Sequence, residues 1–293
     1  MLTEEQIQSF EKNGYLVVKQ LVTIDDCQKL KESVEHLIDK WNPEHDTSCV
    51  FSSGENREQS RSQYFLESGD KISFFMEEDA VDQNTKKLNR DKHYSVNKIG
   101  HALHTLEPQF KRVSFSEKIK AIVHDLNYVK PAICQSMYIF KQPFIGAKVG
   151  PHQDGTFLFN NPLKIMGIWI ALEDATIENG CLWFIPGSHK RSINRRYIRN
   201  PNKEEFDNGK MLIYEGDEDQ YDDKEFVPVE IAAGDGILIH GQVVHKSEQN
   251  TSSISRQIYT FHIIETNDSE YSKENWLVCF FCYLFIKLIF SLI

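Results

Sequence analysis

The order of apolar and polar positions divides the chain into a helical first part and a β-rich second part. Thr3-Glu4-Glu5-Gln6 has the form of a capping box and Asn13-Gly14 supplies a stop, so a first helix is predicted between them. Tyr15 to Val18 reads as a short strand. A second helix opens at Thr23 to Asp26 and carries Leu30, Val34, Leu37 and Ile38 on one stripe, the mark of a face packed on a core. Residues 42–63 are polar and rich in Ser, Glu and Asn, which predicts a loop. Helical spacing returns from Glu107 to Asp125, through Phe110, Val113, Ile119 and Ile122.

From Pro131 onward the pattern changes to short β-like runs broken by turn residues, at 132–141, 166–172, 181–185, 226–231, 236–240 and 256–264. Short strands with irregular connections predict a mainly β fold with helical additions: a jelly roll or sandwich, rather than a parallel α/β sheet. The polar stretch 195–225 contains Glu215-Gly216-Asp217-Glu218-Asp219 and is expected to be a surface insertion with no assignable chemistry. No internal repeat or interdomain linker interrupts the chain. One domain is therefore expected over 1–276, its β core at about 130–265, with the N-terminal helices packed on it.

Composition narrows the function classes. The chain has 293 residues, 40% hydrophobic and 26% charged, enough for one good core and inside the globular range. Its formal net charge of −10, with no Lys/Arg block, argues against a nucleic-acid partner and reads as a solubility property. Cys27, Cys49, Cys134, Cys181, Cys279 and Cys282 show neither a disulfide framework nor a zinc ribbon. The acidic N-terminus lacks an apolar signal segment, so a reducing, cytoplasmic setting is expected. Leu277 to Ile293 is apolar except for Lys287 and Ser291, at the short limit for a membrane span. It reads as a tail anchor, a buried terminal segment, or translation past a true exon end, and the abrupt break after Trp276 favours the last.

The chemistry-bearing residues gather in a few segments. In Pro151-His152-Gln153-Asp154, residues two apart on an extended segment point to one side, so His152 and Asp154 can reach one metal. Gly241-Gln242-Val243-Val244-His245-Lys246-Ser247 offers His245 as a third ligand just after the run that ends at His240. Two imidazoles and one carboxylate on one face leave three coordination positions open, the facial triad of iron(II) oxygenases. H-x-D alone is a weak signal. It is strengthened by Arg256, whose planar fork can pair both oxygens of a carboxylate, and by Trp169 in an apolar run. Gly180 to His189, a strand entering a tight turn, and the turn Gly234-Asp235-Gly236 add to it.

These segments are similar to the phytanoyl-CoA dioxygenase family of 2-oxoglutarate oxygenases. The resemblance rests on PHQD at 151–154, ENGCLWFIPGSHK at 178–190, GDGILIHGQVVHKS at 234–247 and Arg256. NKIGHALH at 97–104, QSMYIFKQP at 135–143, SRQIYTFH at 255–262 and the opening QSFEKNGYLVV at 8–18 extend it to roughly residues 1–276. It implies a double-stranded β-helix, a cupin-like jelly roll with its metal inside one mouth. It implies Fe(2+) held by His152, Asp154 and His245, with O2 as co-reactant. It implies 2-oxoglutarate contacts from Lys98, Met137, Trp169, Ser247 and Arg256, with His152 to Asp154 touching the same molecule. From residues alone, Lys98 would be a surface lysine and Trp169 a core residue. The implied reaction decarboxylates 2-oxoglutarate to succinate and hydroxylates a small organic substrate, an acyl-CoA or a carboxylic acid. Related halogenases replace the carboxylate with a small residue, and here Asp154 is retained. Peroxisomal placement follows only from family analogy.

Other readings stay open at this point. His36, His45, His93 and His124 have no partner pattern, and His189 is expected to serve a structural hydrogen bond. His240 competes with His245 as the third ligand, His101 and His104 are candidates for the pocket wall, and His262 shares alternation with Arg256. Arg191, Arg195, Arg196 and Arg199 are candidate phosphate contacts for CoA. The chief alternative to an enzyme is a non-catalytic jelly roll that binds metal and 2-oxoglutarate, and the same head on a tail anchor is a third reading.

Overall fold

The computed structural model of the chain describes residues 1–44, 49–52, 58–82 and 84–278. His45, Cys279, Cys282 and the apolar run from 279 to 293 lie outside the described residues, so the readings placed on them go no further. Among the described residues no helix is long and apolar enough to cross a membrane.

Local signals set the N-terminal elements. Helix α1 (Glu4–Asn13) starts on the Thr3/Gln6 capping box and ends where Gly14, at φ +80°, donates its amide to the Phe10 carbonyl. Strand β1 (Tyr15–Val18) follows, then α2 (Ile24–Lys40), opened by a second capping box between Thr23 and Asp26. The segment expected to be a loop at 42–63 instead contributes β2 (Cys49–Phe51) and a 3₁₀ turn at Glu58–Arg61. Short α3 (Gln63–Leu66) leads to β3 (Ile72–Glu77) and β4 (Val96–His101), two strands that the apolar pattern did not reveal. The helical stretch expected over 107–125 is broken. After α4 (Leu103–Leu106), α5 (Pro108–Ser114) stops at Phe115 and α6 (Glu117–Asp125) restarts behind Ser116.

The β-rich part continues with β5 (Pro131–Ile139), β6 (Val149–His152), β7 (Asn160–Asn161), β8 (Ile165–Ala171) and β9 (Leu182–Phe184). A hairpin of β10 (Arg195–Arg199) and β11 (Leu212–Gly216), with α7 (Lys203–Asp207) at its tip, occupies the stretch read as a featureless insertion. Then come β12 (Val227–Val229), β13 (Gly236–His240), β14 (His245–Ser247), β15 (Ile258–Glu265) and β16 (Glu270–Tyr271). Eight strands form the main sheet in the order β1-β13-β8-β15-β5-β4-β3-β2, and a smaller sheet runs β12-β9-β14-β6. Antiparallel pairing rules both sheets, apart from the parallel edge pair β2 and β3. This is the expected jelly roll.

The pleat of the main sheet sorts side chains by parity. On β15, Tyr259, Phe261 and Ile263 join a core with Leu30, Val34 and Ile38 of α2 and Phe110 and Ile122 of the later helices. Residues of opposite parity turn inward between the sheets. Trp169, Ala171, Ile237, Ile239 and Ile258 there meet Leu182 and Phe184 of the small sheet. The helices thus cover the outer face of the sheet and leave the inner face to line a cavity.

The Gly234-Asp235-Gly236 turn anchors the entry to β13. Gly234 adopts φ +86°, where a Cβ would lie 2.9 Å from the Val22 carbonyl oxygen. Asp235 accepts hydrogen bonds from the amides of Gln20 (2.9 Å) and Ala232 (3.2 Å) and from Lys19 Nζ (2.8 Å). Burial opposes its charge, but these donors outweigh that cost and hold its carboxyl below the usual value. The stabilisation is therefore present above the unfolded aspartate pKa of about 4 and is lost as pH falls through the depressed folded value. Asp235→Asn should lower the unfolding free energy by about 1–3 kcal/mol at neutral pH. In urea titrations across pH the gap to the native chain should close in the acid range. A gap that persists unchanged in acid would show that the charge is not its source.

Candidate active site

The small sheet sets two imidazoles against each other, their planes tilted by 52°. His152, the last residue of β6, pairs directly across from His245, the first of β14, and the ring centroids lie 4.2 Å apart. Each Nδ1 is occupied by a carbonyl two residues earlier in the chain: Gly150 at 2.9 Å from His152 and Val243 at 3.0 Å from His245. With Nδ1–H donated to a carbonyl, each ring presents the lone pair of Nε2 to the space between them.

Asp154 opens the 3₁₀ turn that follows β6. Gln153 is turned away and donates to the Gln242 carbonyl at 2.7 Å, which ties the H-x-D segment to the loop before His245. Asp154 Oδ1 lies 3.9 Å from His152 Nε2 and 3.6 Å from His245 Nε2. The three ligand atoms fall within 4.8 Å of one another. Burial opposes the charge of Asp154, yet His262, His245 and His152 outweigh it and hold the carboxyl well below the usual carboxylate range. Its Oδ2 has no hydrogen-bond partner among the described residues. An ionised buried carboxylate beside two Nε2 lone pairs is a donor set that fits a divalent metal. His240 is not part of it: its Nδ1 accepts from the Gln242 amide, and its ring lies 5.0 Å from that of His189. His189 makes a structural contact of 3.0 Å to the Glu11 carbonyl.

These three residues open onto a cavity of about 350 Å³ that also takes in Lys98, Met137, Trp169, Ser247 and Arg256. Arg256 lies just ahead of β15, which begins at Ile258, rather than as the first residue of a strand 256–264. It is 3% exposed, its Cζ stands 5.2 Å over the Trp169 ring, and Nη1 donates to the Gly180 carbonyl at 3.0 Å. Its Nε has no hydrogen-bond partner among the described residues. Ser247 Oγ donates to the same Gly180 carbonyl at 2.8 Å. Gly180 sits at φ +91°, and a Cβ there would strike Lys141 Cε at 2.4 Å, so glycine lets this carbonyl serve both groups. Lys98, a surface lysine by its sequence context, is buried on β4 with Nζ 3.2 Å from the centroid of the Phe51 ring.

Sequence reasoning missed two buried charges here. Glu77 and Lys141 line the cavity, and both are buried. Burial pushes the Lys141 ammonium well below its usual value, with Arg256 adding to the effect, and burial raises Glu77. Lys98, Lys141 and Arg256 thus gather with Glu77 in one cavity. Lys141 lies within the FKQP run just past the end of β5, at φ +42°, where no strand alternation signals an inward side chain. His101 also lines the cavity, held to about 3 by burial and by the charge of Lys98, so it is neutral at pH 7. His104 instead pairs with Ser136 Oγ at 2.9 Å.

The segment 195–225, expected to be free of chemistry, forms a wall of the cavity through Arg195, Tyr197, Tyr214, Glu218, Asp219 and Tyr221. Phe157 links it to the imidazoles: its ring lies 5.8 Å from His152 and 5.7 Å from Tyr197. The four arginines considered as a phosphate cluster each have a protein partner. Arg191 pairs with Glu225 at 3.2 Å, Arg195 with Glu218 at 2.8 Å, and Arg196 with Glu274 at 3.2 Å. Arg199 donates to the Trp276 carbonyl at 3.2 Å.

Comparison with known proteins agrees with this geometry. The family model for phytanoyl-CoA dioxygenase (PhyH) matches residues 10–258. Phytanoyl-CoA dioxygenase domain-containing protein 1 of Danio rerio is 47% identical over 94% of this chain and 95% of its own length. Phytanoyl-CoA dioxygenase 1 of Oryza sativa subsp. japonica is 44% identical over 94% of each chain. Among solved structures, the non-haem α-ketoglutarate-dependent carbocyclase SnoK from nogalamycin biosynthesis superposes with a TM-score of 0.61 at 18% identity, covering 93% of this chain and 87% of its own. EctD from S. alaskensis, solved with 2-oxoglutarate and 5-hydroxyectoine, gives 0.58 at 16% identity, over 90% and 76%. At such identities these two show a common fold. With its matching family model, its close relatives and its His-Asp-His cluster at the mouth of the jelly roll, the chain belongs to the phytanoyl-CoA dioxygenase family of non-haem iron, 2-oxoglutarate-dependent oxygenases.

Proposed function

We propose that this chain hydroxylates a small organic substrate, with iron(II) held by His152, Asp154 and His245 and with 2-oxoglutarate seated against Arg256. One observation carries the reading: the metal-ligand cluster and the buried guanidinium line one cavity, so a 2-oxo diacid bound there could meet both. Iron(II) with 2-oxoglutarate and O2 supplies the oxidising power, and 2-oxoglutarate leaves as succinate and CO₂. The protein supplies geometry and charge. Arg256, locked by Gly180 and Trp169, offers its remaining donors to the distal carboxylate, and Lys98 adds a second cation. Met137 and Trp169 shape the apolar flanks of the cosubstrate channel, and Ser247 sets the Gly180 carbonyl that holds the guanidinium. The whole of 1–276 is read as one catalytic unit, because Trp276 stacks on Phe65 at 4.4 Å within the same fold.

The substrate side is the aromatic wall of Phe157, Tyr197 and Tyr214, next to His152. A CoA thioester would need free cations for its phosphates, and the four arginines that could form such a cluster already have protein partners. A compact carboxylic acid or neutral metabolite fits better than an acyl-CoA.

Iron- and 2-oxoglutarate-dependent succinate release separates this reading from a non-catalytic binding module. The native chain should release succinate, and His152→Ala should lower the rate by at least about 100-fold. Arg256→Ala should weaken 2-oxoglutarate binding by about 2–3 kcal/mol, roughly 30- to 150-fold, measured by titration with Mn(II) present. Pyruvate, which lacks the distal carboxylate, should change by less than about threefold. In a substrate screen, free acids or neutral compounds should stimulate succinate release, and CoA thioesters should not. Stimulation by a thioester alone would overturn the substrate assignment.

A further inference from the structure

Asp154 is held by more than its place in the chain. Its Oδ1 faces His152 and His245, while Oδ2 turns the other way and meets His262 Nε2 at 3.3 Å. Oδ2 has no aligned hydrogen bond among the described residues, so His262 reaches it as a contact of charge and dipole. The far side of the His262 ring is engaged as well. Gln135 Nε2 lies 3.2 Å from His262 Nδ1. An amide N–H donated to Nδ1 leaves the ring proton on Nε2, the nitrogen that lies 3.3 Å from the carboxylate oxygen. The reverse amide orientation would put the proton on Nδ1 and set a bare Nε2 lone pair against Oδ2, which is repulsive.

The row is built by the main sheet. His262 of β15 lies between Gln135 of β5 and Gly167 of β8 in the strand register. The pairing of β15 with β5 shifts immediately after His262, and such irregularities re-aim side chains beside active sites. On the opposite neighbour, a Cβ at Gly167 would lie 3.2 Å from Asp154 Oδ2 and 3.5 Å from His262 Cδ2. Glycine there leaves room for the carboxylate and the imidazole to meet.

We propose that His262 is a positioning residue for the metal carboxylate: its Nε2–H holds Asp154 Oδ2 so that Oδ1 alone faces the metal, and Gln135 selects the tautomer that does so. This rests on the reading of His152, Asp154 and His245 as the ligands. Residues of this kind stiffen a ligand and fix its denticity without touching metal or substrate.

The test is Mn(II) affinity of the full-length chain, with free ion counted by electron paramagnetic resonance and fold monitored by thermal melting. His262→Leu should weaken Mn(II) binding by about 10- to 100-fold. His262→Gln, whose amide nitrogen can take the place of Nε2, should stay within about threefold. Gln135→Leu should cost about three- to tenfold in the native background and nothing in His262→Gln, which has no tautomer to be set. Native affinity in His262→Leu, or equal loss in folded His262→Leu and His262→Gln, would overturn the role. Equal loss from Gln135→Leu in both backgrounds would overturn the tautomer selection. If His262→Leu does not fold, His262→Gln still decides: a tenfold loss there rejects the proposal, and retained affinity with the vanishing Gln135 effect supports it. A native chain that binds no Mn(II) would instead overturn the ligand assignment beneath it.

Discussion

The direct pairing of His152 with His245 across two short strands is the constraint around which the rest of the site is arranged. Opposite residues of an antiparallel pair stand only a few ångströms apart, and two imidazoles placed there cannot avoid sharing the space in front of them. Each ring is oriented by the carbonyl two residues before it, so no further side chain is needed to set the tautomer. Asp154 then needs only one turn of 3₁₀ geometry to bring its carboxylate up to the pair. The small sheet therefore supplies the donor cluster, and the main sheet supplies the chamber in front of it.

That chamber follows from a single alternation. Every strand of the main sheet offers one face to the helices and one to the interior, and the helices take the larger apolar share. Polar side chains of inward parity are thereby forced into an enclosed space: Gln135, Thr260 and His262 all line it. Charges confined there cannot be hydrated, which is why Arg256 falls to about 10 and Lys141 lower than its usual range. A dianionic cosubstrate seated there, as proposed, would relieve that condition, and burial would make the pairing stronger than it would be at the surface.

The reading of the sequence succeeded where the signal was local. The capping box at Thr3, the helix start at Thr23 to Asp26, the stop at Gly14 and the β runs after Pro131 all became the elements expected of them. It failed where an element owes its state to its neighbours. Strands β3 and β4 sit between other strands and are buried almost throughout, so Glu77, Asn97, Lys98 and His101 interrupt any apolar pattern while facing the inside of the protein. The 195–225 stretch looked like a solvated surface because its charges are real. In the fold, Arg195, Glu218 and Asp223 are spent on ion pairs, while Tyr197 and Tyr214 between them face the cavity.

Taken alone, the sequence determined the class of fold and which residue types carry the chemistry, because strand alternation, capping and the H-x-D spacing are short-range properties of the chain. The convergence of residues far apart in the chain was decided only by the tertiary structure. His245 rather than His240 joins the cluster because of strand register, Lys98 is a cavity residue because its strand is covered on both faces, and His262 meets Asp154 because three neighbouring strands place glutamine, histidine and glycine in one row. Register and coverage depend on partners tens of residues away, and no local pattern encodes them.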